Sequence, residues 1–394
     1  MESSEVRLSE LDVDVLAARI ARRFEMTCGA PAFGLVDMML TRDCNHRCDY
    51  CFVRSKRPER MTWETAKATV DFFLKQPGPP RDNGYQILFF GGEPLLEFDL
   101  IRQIVDYTEW LQERTGVPFR YSMTTNGTLL TEGMCSFFRS HRIAYLLSID
   151  GDKETHDAHR KLRGGGSSYD LMLPDRFRMA KQHQPWQGTR MTVRPDTVRR
   201  LVDNVKHLHA LGMNQFLIGI ATGLQWSRDD FVEYEAQLLA LMDLHQEMRE
   251  RKRPFRMTLY EKDLRSPPGT STNTWGCGAG RGRMAADPGG NIYGCAKIAG
   301  LDRPELLRDQ CLGNVFEGIT HPDRRAMVAD NTTTHRPKCV RCKYRHDCGG
   351  GCPATNLEAS GSIFDPAPEE CMIIPGIINI RKRLFADGPE RDRG

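Results

Sequence analysis

The 394-residue sequence predicts an α/β fold, a partial (β/α)6 TIM-like barrel with a cysteine-rich C-terminal domain behind it. Three observations carry that expectation. Six apolar, β-rich runs recur from residue 34 onward, and segments with helical spacing lie between most of them. Beyond about Trp275 the composition then shifts to cysteine, glycine and turn residues. Strands that alternate with helices pair in parallel through right-handed crossovers. Six such units make a partial version of the eight-unit barrel. An open parallel sheet is the alternative arrangement.

Residues 8–24, LSELDVDVLAARIARRF, place apolar side chains at helical spacing behind Ser9 as a cap, so 1–33 reads as an N-terminal helical extension. The barrel is expected over 34–250, with strands at 34–40, 86–90, 119–123, 143–149, 189–193 and 215–220. Helical spacing marks 62–75, 96–113, 131–140, 168–183 and 196–211, and one long helix covers 227–250. A bridging segment, 251–274, contains RSPPG and leads to the cysteine-rich domain at 275–375. A C-terminal helix and a disordered tail ending ADGPERDRG fill 376–394.

No run of 18 apolar residues occurs, so no transmembrane helix is expected. The acidic start MESSEVRLSELD lacks the apolar segment of a signal peptide, which points to a cytoplasmic protein. Lys plus Arg number 55 against 52 Asp plus Glu, a formal charge of +3. That balance predicts no strong attraction to nucleic acid or to an anionic membrane. A monomer is expected.

Thirteen cysteines in a cytosolic chain argue against a disulfide framework, and their clustering points to metal. Cys28 and Cys135 stand alone and read as small buried apolar side chains. In TRDCNHRCDYCF, residues 41–52, Cys44, Cys48 and Cys51 are spaced C-x3-C-x2-C. A structural zinc wants four closed ligands. No fourth Cys or His follows at finger spacing, and His46 inside the loop is badly placed for one. A four-iron cluster on three thiolates leaves an open corner where a second molecule can bind.

The other strand ends carry unusual residues as well. GGEP (91–94) follows the second run, TTNGT (124–128) the third, and the fourth runs into SIDG (148–151). Alone, Gly-Gly or Asn126-Gly127 reads as a turn. Together with the cysteine loop they mark the C-terminal strand ends, where functional groups of parallel sheets collect. Further on, Cys277 and Cys295 flank RMAADPGGNIYG (283–294), a hairpin turning at Asp287–Gly290. CVRCKYRHDCGGGC then spaces Cys339, Cys342, Cys348 and Cys352 as C-x2-C-x5-C-x3-C, with Cys371 beyond. Taken alone, those four suit a structural zinc and an iron–sulfur cluster equally.

With these motifs the sequence resembles the radical S-adenosylmethionine (SAM) enzymes, whose C-x3-C-x2-C carries an aromatic before the last cysteine, here Tyr50. The resemblance implies that SAM chelates the bare iron through its amino and carboxylate groups. One electron then cleaves SAM to methionine and a 5′-deoxyadenosyl radical, which abstracts a substrate hydrogen. It assigns Gly92 and Glu93 to the SAM amino group, and Asn126 and Ser148 to the ribose. Arg160, twelve residues after Ser148, falls to the carboxylate, a partner that suits a guanidinium fork. HRKLRGGGSSYD (159–170) is similar to the corresponding loop of peptide-modifying members.

Seven of the eight C-terminal cysteines, all but Cys311, resemble the SPASM domain, which binds two auxiliary four-iron clusters. By that resemblance Cys339, Cys342, Cys348 and Cys371 close the distal cluster, and Cys277, Cys295 and Cys352 hold the one nearer the barrel. Cys311, sixteen residues after Cys295, either fills the remaining corner or is a buried loop thiol. Three 4Fe-4S clusters and SAM are thus the expected cofactors.

SPASM-bearing members mostly modify ribosomally made peptides or proteins. The expectation is therefore an oxidoreductase that matures a precursor peptide, forming a thioether or carbon–carbon cross-link with electrons from a flavodoxin- or ferredoxin-type donor. The anaerobic sulfatase-maturing, formylglycine-generating type is the alternative. Its members carry an additional cysteine between the positions of Cys277 and Cys295, and this chain has none. Readings of another class are an iron–sulfur electron carrier and a zinc-stabilised binding protein. An electron carrier has no use for GGEP, SIDG and Arg160 around a SAM-sized pocket.

Overall fold

A computed structural model describes residues 34–76, 84–259, 277–329, 333 and 336–387. The helix expected over 8–24, the boundary near Trp275, Cys28 and the tail from 388 onward lie outside the described residues.

All six apolar runs form strands: β1 (Leu35–Thr41), β2 (Tyr85–Gly91), β3 (Phe119–Thr125), β4 (Ile143–Leu147), β5 (Gly188–Val193) and β6 (Gln215–Ile220). Each pairs in parallel with the next. Every residue of β1 after Leu35 is buried, as expected of a strand covered on both faces. A short β7 (Arg256–Met257) adds beyond β6, inside the segment read as a bridge.

The connecting helices start where the sequence offers caps. Thr62 accepts from the Thr65 amide ahead of Trp63–Leu74, and Thr131 does so from Met134 ahead of Glu132–Ser140. Ser227 and Asp230 form a capping box on Arg228–Glu250. The helix expected over 168–183 is instead two, Ser168–Met172 and Asp175–His183. Pro174 has no N–H to continue the ladder, and Leu173 before it is extended. A short helix not expected from periodicity, Lys153–His159, follows SIDG, with Asp152 accepting from the Thr155 amide at 2.9 Å.

The expected hairpin forms as β8 (Arg283–Ala286) and β9 (Asn291–Tyr293). Asp287 Oδ1 accepts from the Gly289 and Asn291 amides, and Gly290 turns the chain at φ +82°. β8 also pairs in parallel with β1, Leu35 opposite Arg283 through Met38 opposite Ala286. With β10 (Gly313–Asn314) and β11 (Gly318–Ile319) the sheet runs β11-β10-β9-β8-β1-β2-β3-β4-β5-β6-β7. The cysteine-rich segment therefore fills the free ladder edge of β1 instead of standing apart from the sheet. The C-terminal helix begins at Pro368, ahead of the expected 376, and so carries Cys371; it packs on Arg228–Glu250. No described helix is long and apolar enough to cross a membrane.

Candidate functional site

At the C-terminal end of β1 the chain enters the first cysteine loop, whose base is clipped shut. Arg42 N donates to Glu59 O at 3.0 Å and Met61 N to Leu40 O at 2.8 Å. Within the loop Asp43 accepts from the Cys44 amide at 2.8 Å and from the Arg163 guanidinium. Residues 45–47 run against 161–163, with Arg47 N on Lys161 O at 2.7 Å and Arg163 N on Asn45 O at 2.8 Å. The end of β2 lies directly on this loop. A Cβ at Gly92 would sit 2.0 Å from the Asp43 carbonyl, so the glycine of GGEP is what lets the two backbones touch.

Glu93 is only 1% exposed, and its carboxylate is fully engaged. Oε1 accepts from Thr125 Oγ1 at 2.6 Å and the Leu95 amide at 3.1 Å, and Oε2 from the Asn126 amide at 2.9 Å. Burial raises its pKa against those donors. Asn126 Nδ2 donates to Asn45 Oδ1 at 2.8 Å, while Asn126 Oδ1 accepts from the Thr128 amide and hydroxyl. These two residues thus tie the ends of β2 and β3 to the cysteine loop. Ser148, just beyond β4, has its backbone amide on Thr125 O at 2.8 Å and its hydroxyl without a protein partner among the described residues.

Arg160 ends the helix Lys153–His159 and is 7% exposed. Its Nε donates to Asp150 Oδ2 at 2.9 Å and its Nη2 to Asp150 Oδ1 at 2.8 Å. Asp150 also accepts from the Tyr50 hydroxyl and from the Thr192 amide at 2.8 Å. The guanidinium carbon stands 5.4 Å from the centre of the Tyr50 ring. Burial alone would lower the Arg160 pKa, but the Asp150 charge outweighs it and holds the group above its ordinary value. Beside it, burial and then the Arg160 charge lower His156 to about 4.

Sequence reasoning picked Ser148 from SIDG and missed Asp150. The available signal was spacing, since side chains two apart in extended chain share a face.

The thiols fall into three sets. Burial pushes Cys44 up to about 12 and Cys48 up to about 11, with Cys48 acting on Cys44 and Cys51 on Cys48. His46 N donates to Cys44 Sγ at 3.3 Å and Lys56 Nζ to Cys51 Sγ at 3.0 Å. In the second set burial pushes Cys295 up to about 12, helped by Cys352 and Cys277. In the third, burial pushes Cys371 up to about 11, helped by Cys339, Cys348 and Cys342. Gly350 N donates to Cys348 Sγ at 3.2 Å there. Cys311 packs against the same cluster of buried side chains as Cys295 and Cys352, its thiol donating to Gly313 O at 3.3 Å, and Cys135 is fully buried in the core.

Thiols pushed this high ionise only against a nearby cation, and N–H groups aimed at sulfur stabilise the thiolate. These donor sets therefore fit iron–sulfur ligation.

The comparisons agree with the geometry. Residues 38–238 match the Radical SAM superfamily. Uncharacterized protein MJ0907 of Methanocaldococcus jannaschii is 28% identical over 280 residues, 71% of this chain and 87% of that protein. A serine-type anaerobic sulfatase-maturating enzyme of Klebsiella aerogenes is 22% identical over 336 residues, 81% of this chain and 79% of that enzyme. Radical SAM cyclopropyl synthase TigE of Paramaledivibacter caminithermalis is 19% identical over 373 residues, 89% of this chain and 75% of its own. Among solved structures, anSMEcpe with bound AdoMet and Kp18Cys peptide shares the fold at a TM-score of 0.72 and 19% identity, covering 89% of this chain and 98% of that one. SuiB of Streptococcus suis bound to precursor peptide SuiA shares it at 0.57 and 15%, covering 94% and 84%. With the match spanning 201 of the 394 residues, and the cysteine loop at the end of its first strand, the chain belongs to the Radical SAM superfamily.

Proposed function

We propose that this radical SAM enzyme is a peptide maturase built on a partial (β/α)6 barrel over 34–250, with a SPASM domain over 275–375. Cys44, Cys48 and Cys51 would hold the SAM-binding 4Fe-4S cluster. Cluster and SAM held there would supply one-electron chemistry able to abstract a substrate hydrogen. The chain's own residues bind and orient. Asp150 takes Nε and Nη2 of Arg160 and so presents Nη1, which suits the SAM carboxylate. The open hydroxyl of Ser148 suits the ribose. Glu93 and Asn126 brace the loop, and Tyr50 backs the Arg160–Asp150 pair.

The observation that carries the peptide reading is the division of the C-terminal thiols into four and three. Cys339, Cys342, Cys348 and Cys371 would give every iron of one auxiliary cluster a ligand, while Cys277, Cys295 and Cys352 would leave a place for a substrate thiolate on the other. That favours thioether formation, with a carbon–carbon cross-link next. The peptide-bound relatives anSMEcpe and SuiB support a peptide substrate.

The test is anaerobic reconstitution with iron and sulfide counting, then SAM, a strong reductant and a cysteine-bearing candidate precursor peptide. The expected result is about twelve irons per chain, 5′-deoxyadenosine, and a peptide lighter by a pair of hydrogens with one cysteine no longer alkylatable. A modified peptide whose cysteines all remain alkylatable overturns the thioether assignment. The sulfatase-maturating relative supports a second reading, formylglycine formation. A hydrazide-trapped aldehyde on a sulfatase-type peptide would establish it.

A further inference from the structure

Asp37 stands in the middle of the apolar run GLVDMML and is 0% exposed. A lone carboxylate there costs several kcal/mol unless it is paired and hydrogen-bonded. Its partners come from far down the chain. Oδ2 accepts from Arg283 Nε at 2.7 Å and from the Ala296 amide at 3.1 Å, and Oδ1 from Arg283 Nη2 at 2.9 Å.

Both partners adjoin candidate cluster ligands. Arg283 closes the loop that follows Cys277, its amide donating to Gly278 O at 3.1 Å and its carbonyl accepting from the Gly280 amide at 2.9 Å. Ala296 directly follows Cys295 and opens the helix Ala296–Ala299. That helix is gripped once more, where Arg42 at the mouth of the first cysteine loop donates to Ala299 O at 2.8 Å. One buried carboxylate thus joins the strand leading to Cys44 with the segments bearing Cys277 and Cys295. The Arg283 charge also acts on both of those thiols.

We propose that Asp37 and Arg283 are the positioning pair of the second cluster site: Asp37 fixes Cys277 and Cys295 against β1, and Arg283 sets the local charge there. The inference rests on reading Cys277, Cys295 and Cys352 as auxiliary-cluster ligands. A cation beside an iron–sulfur cluster stabilises the reduced form, which carries the extra negative charge, and so raises the reduction potential. Asp37 partly neutralises that cation. The two residues therefore act in opposite directions, which a merely structural pair would not do.

The experiment is a potentiometric titration followed by electron paramagnetic resonance on reconstituted full-length protein, with Cys295→Ala identifying the signal of the site. Arg283→Gln should lower that cluster's potential, Asp37→Asn should raise it, and Arg283→Lys should hold it near wild type. The other two clusters should not move. Shifts of the same sign in Arg283→Gln and Asp37→Asn, or none, overturn the proposal. If Asp37→Asn fails to assemble, Arg283→Gln and Arg283→Lys decide, and equal potentials in those two overturn it. A wild-type iron count short of the auxiliary clusters sinks the ligand reading and the pair's role with it. A full count with unmoved potentials sinks the pair alone.

Discussion

Arg160 and Asp150 form a buried two-point ion pair, with contacts of 2.9 and 2.8 Å and side chains 8% and 3% exposed. The residue expected to meet an incoming carboxylate is thus already clamped by an internal one. Two of its nitrogens are committed to Asp150, which leaves Nη1 outside that contact. Asp150 is in turn fixed by Tyr50, next to Cys51, and by Thr192 near the end of β5. Nη1 is therefore fixed in place before any ligand arrives, which lowers the ordering cost of binding.

Arg160→Ala should weaken SAM binding by about 2–5 kcal/mol, the usual cost of losing one partner of a desolvated charge pair. Arg160→Lys should rescue little, because an ammonium cannot occupy Asp150 and a carboxylate with the same planar fork. Asp150→Asn should weaken SAM binding too, by loosening the aim of Arg160. Equilibrium SAM titration of the reconstituted variants, alongside iron counting, is the measurement. Unchanged affinity in Arg160→Ala would move the carboxylate contact to Arg163, which lies on the same loop and is held by Asp43.

Cys44→Ala, Cys48→Ala or Cys51→Ala should abolish SAM cleavage while most auxiliary iron stays bound. The motive is the separation of their loop from the two thiol sets at 277–371. Mass analysis for 5′-deoxyadenosine, with reductant but no peptide, checks it. Production at the wild-type rate would refute the assignment of the first loop.

The fold was legible where local pattern suffices. A strand covered on both faces reads as a largely apolar run, as LVDMMLT does, and the alternately buried YQILFFG is still apolar enough to mark a strand. The glycines of GGEP were legible as a turn but not as a contact, because Gly92 is required by the Asp43 carbonyl of another loop. Asp37 sits inside an apolar strand run, and its meaning depends on Arg283, 246 residues away. The same distance hides the pairing of β8 with β1, since a free ladder edge leaves no mark in the sequence that will fill it.

His156 predicts an acid sensitivity. It is 2% exposed, with Nε2 2.9 Å from Ser168 Oγ. Burial and the Arg160 charge lower its pKa to about 4 from an ordinary 6.5. Between those values the unfolded chain binds a proton that the folded protein does not, so stability rises with pH across the window. The contribution is complete above about 6.5 and is lost as pH falls toward 4, by about 3 kcal/mol over the whole range. Urea midpoints of wild type and His156→Gln at pH 7 and pH 5 should converge at the lower pH. Equal losses in the two proteins would place the acid-sensitive group elsewhere.

Cys311 decides between two chemistries at the second thiol set. Its thiol donates to Gly313 O at 3.3 Å, directed at the β10 backbone, while the thiols that act most on Cys295 are Cys352 and Cys277. If that arrangement persists in the loaded enzyme, the set keeps three cysteines and its fourth corner is left to a substrate thiolate. Cys311→Ala should then retain the full iron count and change stability by no more than about 1 kcal/mol, as small loop substitutions do. A cysteine-bearing peptide should perturb one auxiliary signal equally in wild type and Cys311→Ala, and the same peptide with that cysteine changed to serine should not. Loss of one cluster's iron in Cys311→Ala would make Cys311 the eighth ligand. The site would then be closed, and a substrate thiolate would have no iron to bind, which removes the argument for thioether formation.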